Sequence, residues 1–323
     1  MNPVYVTRSA VVTGFGDGLA ALWNGLLAGR SAVAPVRRFP TTHYLASEAA
    51  CVEWLDAVPP GQASGCLLER LAAGFGPLPT GTRLLTATTK GGIDGLQAWR
   101  RGDADAALDA AGGNGFIRLA ERCWGLDDPT ALNVNAACAS STLAIARGAA
   151  MIAHGAADAV LVVAADLVTE FVFSGFSVLR ALGPDGAHPF DRDRAGLVLG
   201  EGAAAILLTN RSLAADTGSG PLARLLGWGS ANDANHVTAP ARDGCGLIAA
   251  IRRALALAGC GPETVAGISA HGTGTVYNDA MELTAIEAVF GDRRLPCHSA
   301  KGAIGHTLGA AGAIELALGL RML

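Results

Sequence analysis

Twice along this chain a short apolar run hands over, with almost no connecting loop, to a helix rich in alanine and glycine. Each junction carries a polar pair five residues apart: Asn133 and Cys138 in the first, Lys301 and His306 in the second. Strand-length apolar runs that lead straight into small-residue helices pack as sheets covered by helices. Finding the handover twice predicts a duplicated α/β unit with largely parallel sheets. In open sheets of that kind ligands gather beyond the carboxyl ends of the strands. The pattern therefore predicts Cys138, His271 and His306 at one end of the molecule, since each follows a predicted strand.

Composition narrows the function classes. Half of the 323 residues are hydrophobic and only 16% are charged, which suits a packed core and excludes a disordered chain. Aromatics make up just 5%, so the layers must close on small residues. A net charge of −4 offers no basic field for nucleic acid. The longest apolar runs, such as residues 159–165, have strand length and are far too short to span a bilayer. The N-terminus lacks the basic-then-apolar signature of a secretory signal. A soluble, cytoplasmic protein is the expectation. The seven cysteines are odd in number and scattered, with no CxxC pair, so neither a zinc ribbon nor a disulfide framework is predicted.

In chain order the pattern predicts a strand over 9–14, a tight turn at Gly14-Phe-Gly16-Asp-Gly18, and a helix over 18–28. Residues 31–80 look irregular because six prolines interrupt them. Strands follow at 84–88, 159–165 and 203–209, with helices at 117–124 and 139–154. The stretch 100–114 is polar and glycine-interrupted. Residues 211–221 form the predicted boundary between an N-terminal half, 1–210, and a C-terminal half, 222–323. The second half is predicted as strand 223–228, helix 246–258, strand 265–270, helix 280–290, strand 295–299 and helix 307–323.

Cys138 sits where a helix begins, and the unpaired N–H groups and macrodipole there favour a thiolate nucleophile. The plainer reading is a small buried hydrophobe. His271, in His271-Gly-Thr-Gly-Thr275, suits proton transfer or is simply a loop histidine. His306 is read at a helix start, which disfavours imidazolium and leaves a neutral ring able to donate to an oxyanion. Only Lys90 and Lys301 are lysines, so in an arginine-biased chain each signals a required compact ammonium, or chance. Glu282 is the predicted balance for Lys301, and Glu315 reads as an ordinary polar helix position. Phe171, Phe173 and Phe176 either wall a pocket or pack. One cysteine with two histidines suits acyl chemistry through a thioester. A Cys/His/Asn hydrolase leaves the second histidine and the lysine unexplained, and a zinc site normally shows a close-spaced ligand pair.

Four ordered motifs carry a resemblance: Ala137-Cys138-Ala-Ser-Ser, Pro189-Phe-Asp-Arg through Gly200-Glu-Gly202, His271-Gly-Thr-Gly-Thr275, and Lys301 through Gly305-His306 to Gly312. On them the chain is similar to the β-ketoacyl-acyl carrier protein synthases of the thiolase superfamily, in their elongating, Cys-His-His form. The resemblance implies a thiolase-like layered αβαβα fold built from two similar halves. It implies that Cys138 accepts an acyl chain from a carrier-protein phosphopantetheine. His271 and His306 then assist decarboxylation of a malonyl thioester, and Lys301 with Glu282 sets their electrostatics. Thr273 and Thr275 match positions that hold the pantetheine arm, and the Pro189–Gly202 motif is structural. No metal and no cofactor of the protein's own is implied; the partners are an acyl carrier protein and a second synthase-like chain, in a homodimer or heterodimer. Two departures stand out: residues 54–133 are compressed, and the family's later strands and Gly-Phe-Gly-Gly loop do not follow His306, so the second half is expected to be incomplete. A non-condensing partner of the chain-length-factor type is the alternative, although such chains characteristically lack the cysteine.

Overall fold

The computed structural model describes residues 1–103, 108, 111–215, 220–236 and 238–323. Six strands form its large sheet: β1 (Val4–Thr13), β2 (Arg83–Ala87), β3 (Leu132–Val134), β4 (Ala159–Asp166), β5 (Gly202–Thr209) and β6 (Ala223–Leu225). Their spatial order is β6-β1-β5-β4-β2-β3, and a two-residue strand, Gly16–Asp17, folds back onto β1. β2 runs parallel to β3 and β4, with Ala87 beside Val134 and Ala164. β5 is antiparallel to both β4 and β1, so the expectation of largely parallel sheets needs correction. The chain leaving β4 at Asp166 returns to the same end, where Gly202 pairs with Asp166. A connection that never crosses the sheet to its other end must yield an antiparallel neighbour.

β4 and β5 are buried along their whole length and divide their side chains by the period of two that a strand imposes. Leu161, Val163, Ala205 and Leu207 pack on α2 (Ala63–Ala73) and α3 (Gly112–Trp124), reached after the N-terminal helix α1 (Leu19–Leu27). Val160, Val162, Ile206 and Leu208 face α4 (Ser140–Ala153) and the C-terminal helix. The prolines of residues 31–80 bracket α2 instead of breaking it, which is why Leu67, Leu68 and Leu71 fill the core there. α3 starts five residues ahead of the predicted 117. Part of the polar stretch 100–114 and part of the boundary 211–221 lie outside the described residues.

After α5 (Glu170–Val178), the second half supplies α6 (Cys245–Ala258), β7 (Ile268–Ser269), α7 (Val276–Phe290), β8 (Cys297–His298), the short α8 (Lys301–Ile304) and α9 (Ala311–Met322). β7 and β8 pair in parallel as a separate two-stranded sheet, shorter than predicted. α4 and α9 pack closely: a Cβ on Gly312 would overlap the Thr142 hydroxyl. A cleft lined by Leu143, Leu247, Ile251, Ser269 and Glu315 separates α4 and α9 from β7 and α6, and Cys138 and His271 reach it. Phe173 is fully buried, edge-on to Phe39 at 5.5 Å, whereas Phe171 is exposed. Among the described residues no helix is long and apolar enough to cross a membrane.

Candidate active site

β3 ends at Val134, and a tight turn lifts Cys138 just ahead of α4. Ala137 takes a left-handed backbone, φ 49°, that side-chain-bearing residues seldom adopt. The Ser140 hydroxyl holds the turn from both sides, accepting from the Ala136 N–H at 2.9 Å and donating to the Ala137 carbonyl at 2.6 Å. Asn135 donates its amide to the Thr89 carbonyl at 3.0 Å and so ties the turn to the end of β2.

His306 is delivered by a different device. Its N–H donates to the Val198 carbonyl at 2.7 Å, and its own carbonyl accepts from Gly200 N–H at 3.0 Å. Gly305, at φ 66°, lets the backbone lie against the short strand Leu199–Gly200, where a Cβ would run into the Leu199 carbonyl. The Pro189–Gly202 motif thus pins the histidine's main chain. A 3₁₀ turn, Leu308–Ala310, separates His306 from α9, so His306 does not open an α-helix and the dipole argument for its neutrality is replaced by the burial described below.

The three side chains meet. His306 Nε2 lies 2.9 Å from Cys138 Sγ, and the His271 ring stands edge-on to His306, with centroids 5.0 Å apart and planes at 83°. The sulfur and one nitrogen from each imidazole fall within 4.8 Å of one another, a donor set that a metal could also use. His306 is 1% exposed, and its Nδ1 has no hydrogen-bond partner among the described residues.

Around this trio, buried carboxylates hold backbone. Glu282 accepts from the N–H groups of His271 at 2.7 Å and Gly272 at 2.6 Å. Asp279 accepts from the N–H groups of Thr273, Gly274 and Phe190. The Thr273 and Thr275 hydroxyls lie 2.9 Å apart, the first buried and the second half-buried. The ion partner of Lys301 is Glu315, not Glu282, and the same ammonium donates to the His271 carbonyl at 2.6 Å. Glu282 spends its oxygens on the loop N–H groups and on Asn278. Glu315 is therefore more than the ordinary polar helix position it reads as in the sequence, and Asp279 and Asp166 do not stand out there. A carboxylate closing the otherwise apolar run 159–165 was the available signal for Asp166.

Burial dominates the electrostatics. It pushes His271 down to about 3, helped by the Lys301 charge. His306 is driven well below the usual imidazole range by burial, then by His271, Lys301 and Lys90. Both rings are neutral at neutral pH. The Cys138 thiol is pushed up by burial, and further by Asp166, against the pull of Lys301 and Lys90. Burial thus opposes the lowering expected from the helix start. A protonated thiol beside a neutral imidazole makes a nucleophile and base within hydrogen-bond reach.

The family description "Beta-ketoacyl synthase, N-terminal domain" matches residues 124–214, and "Beta-ketoacyl synthase, C-terminal domain" matches residues 222–323. The chain is 30% identical over 353 aligned positions to 3-oxoacyl-[acyl-carrier-protein] synthase 2 of Coxiella burnetii, covering 97% of this chain and 83% of that protein. It is 41% identical over 195 residues to nodulation protein E of Rhizobium leguminosarum bv. trifolii; that match covers 59% of this chain and spans only 48% of the relative's length. Among solved structures, the ishigamide ketosynthase/chain length factor superposes with a TM-score of 0.86 at 32% identity, over 98% of this chain and 85% of that one. With its thiolase-like α/β layers and both domain matches, the chain belongs to the β-ketoacyl synthase family.

Proposed function

We propose that this chain is a 3-oxoacyl-acyl carrier protein synthase, joining an acyl thioester to a malonyl thioester with loss of CO₂. The observation that carries the reading is the 2.9 Å contact between Cys138 Sγ and His306 Nε2, with a second neutral imidazole edge-on to it. In the first half-reaction Cys138 Sγ gives its proton to His306 Nε2 and attacks the acyl carbonyl; the carrier thiol leaves with a proton. In the second, the malonyl C–C bond to the carboxylate breaks, CO₂ departs, and the electron pair forms an enolate. An N–H of the His271 imidazole stabilises that oxyanion. The enolate carbon attacks the Cys138 thioester, the C–S bond breaks, and the sulfur leaves as a thiolate that takes up one proton from solvent to repeat the cycle.

In this reading Lys301 fixes the His271 loop and adds to the burial that keeps both rings neutral, and Glu282 holds the loop's N–H groups. Thr273 and Thr275 receive the pantetheine arm of the carrier, which brings the only prosthetic group the reaction needs. Residues 1–210 supply the nucleophile and 222–323 both histidines. The partners are an acyl carrier protein and a second synthase-like chain, in the cytoplasm. The likeness to a ketosynthase/chain length factor favours one competing reading, a non-condensing partner subunit. Incubation with an acyl carrier thioester, read by intact mass, separates the two. An acyl adduct on Cys138, followed by a 3-ketoacyl product when malonyl carrier protein is added, supports the synthase. No adduct on the native protein, alone or with a synthase-like partner, rejects it in favour of the partner subunit.

A further inference from the structure

The cleft at Cys138, about 520 Å³, adjoins an outer hollow of about 570 Å³. Thr142, Leu143, Leu247, Ile251 and Gly312 line both, so the two form one groove that begins at the sulfur. Into the outer hollow α6 turns Leu247, Ile251 and Ala254, and α9 turns Leu316, Gly319 and Leu320. Steps of three and four residues put each set on one face of its helix. α6 has no buried residue, although apart from Arg252 and Arg253 it is built of small and apolar residues. An apolar face left open beside the reacting sulfur is where a hydrocarbon gains most by leaving water. The charged and hydroxyl side chains lining the outer hollow are Thr142, Arg224, Ser269 and Glu315, and Glu315 is committed to Lys301. Thr273 and Thr275, proposed above to receive the pantetheine arm, line neither hollow. The groove is thus an apolar path that starts at Cys138 and lies apart from those threonines.

We infer that this groove holds the hydrocarbon tail of the acyl group on Cys138, and that the protein selects unbranched acyl chains of medium length without oxygen substituents. Gly312 lines both hollows and Leu320 only the outer one, and the α9 backbone between them rises about 12 Å. A two-carbon acyl group leaves most of that length empty, whereas a longer chain covers the open faces of α6 and α9. A keto group carried along the chain would lie against leucine and isoleucine with few donors to meet it, which costs binding. The groove's part in condensation rests on the reading of Cys138 as acyl acceptor; its affinity for a hydrocarbon does not. Gly319 marks the outer part of the path, and a Cβ built there meets nothing within 4 Å. A larger side chain at 319 therefore enters open groove, and replacing a glycine inside a helix favours the helix.

The test is acylation of the full-length protein by pantetheine thioesters from acetyl to dodecanoyl, read at the Cys138 peptide by mass spectrometry. In each case the Sγ–C bond forms and pantetheine leaves as its thiol. The second-order rate constant is expected to rise roughly fourfold per added methylene until the groove is full. A chain of matched length bearing two keto groups is expected to load about tenfold more slowly. Gly319→Phe is expected to lower the dodecanoyl-to-hexanoyl ratio about tenfold, moving the optimum to shorter chains, while Gly319→Ala keeps the wild-type profile. A profile flat in chain length overturns the inference and leaves the groove to a segment of a partner chain. Equal loading by the keto chain overturns it too, as does an optimum that Gly319→Phe leaves in place. Calorimetric titration with acyl-pantetheine amides, in which N–H replaces the thioester sulfur, reads binding without acyl transfer. Amide binding that tightens with chain length and is shortened by Gly319→Phe, with no thioester loading Cys138, removes the synthase reading and leaves the groove standing. Neither binding nor loading overturns both.

Discussion

Lys301 reaches His271 through the main chain: its ammonium donates to the His271 carbonyl at 2.6 Å while its carboxylate partner, Glu315, sits on α9. The lysine thus fixes the loop that carries the ring, and its charge depresses the ring's proton affinity from behind. One side chain thus sets the loop's position and, after burial, reinforces the neutral state of the histidine.

Breaking that link has a stability signature. Lys301 is 2% exposed and the Glu315 side chain 18%, so Lys301→Met strands a largely buried carboxylate. A loss of about 3–5 kcal/mol is expected from urea unfolding midpoints. Lys301→Met with Glu315→Gln is expected to recover part of it, because neither charge is then left unpaired.

The two histidines are expected to separate the half-reactions. Cys138→Ala abolishes the acyl adduct. His306→Ala slows acylation by about 10²–10⁴ in single-turnover mass measurements, since the thiol loses its base. His271→Ala leaves acylation within a few-fold and instead slows release of CO₂ from the malonyl thioester. Equal effects of both substitutions on acylation would remove this division of labour.

Gly305 is irreplaceable for a geometric reason. Gly305→Ala puts a Cβ at φ 66° against the Leu199 carbonyl. It is expected to destabilise the fold by about 1–3 kcal/mol and to slow Cys138 acylation as His306 moves. Thermal melting and adduct formation, measured on one preparation, check both parts.

Stability is expected to fall as pH drops from about 6.5 towards 3. Unfolded histidines bind a proton near 6.5, whereas native His271 holds out to about 3. Across that interval the unfolded state binds more protons, so unfolding is favoured as pH falls. Glu282, Glu315 and Asp166, raised by burial, act in the opposite sense, their contribution declining as pH rises through the carboxylate range. Because those carboxylates are common to both proteins, the difference in denaturant midpoints between wild type and His271→Phe from about pH 7 to 5 isolates the histidine part, and the variant's slope is expected to be flatter.

Added zinc is expected to slow both alkylation and acylation of Cys138, with recovery on chelation, because the sulfur and two imidazoles lie close enough to share an ion. Unchanged rates would mean that the 2.9 Å Sγ–Nε2 contact holds the atoms too close for a metal to enter.

Local sequence determined a good deal of this protein. Apolar runs such as 159–165 can be buried on both faces only as interior strands, and small-residue helices such as α4 and α9 suit the close approach seen at Gly312. The handovers at Cys138 and His306, and the motif around His271, marked candidate chemistry because strand ends are where backbone leaves polar groups free to act. Contacts between segments far apart in the chain were decided by the tertiary structure alone. Nothing in spacing shows that Lys301 chooses Glu315 over Glu282, that Asp166 gathers Thr88, Thr89 and Gly309, or that residues 198–200 pin His306. The direction of β5 was likewise fixed by where its long connection returns. Even the thiol's protonation was settled this way, because a helix start is a local property whereas desolvation depends on everything that packs around the sulfur.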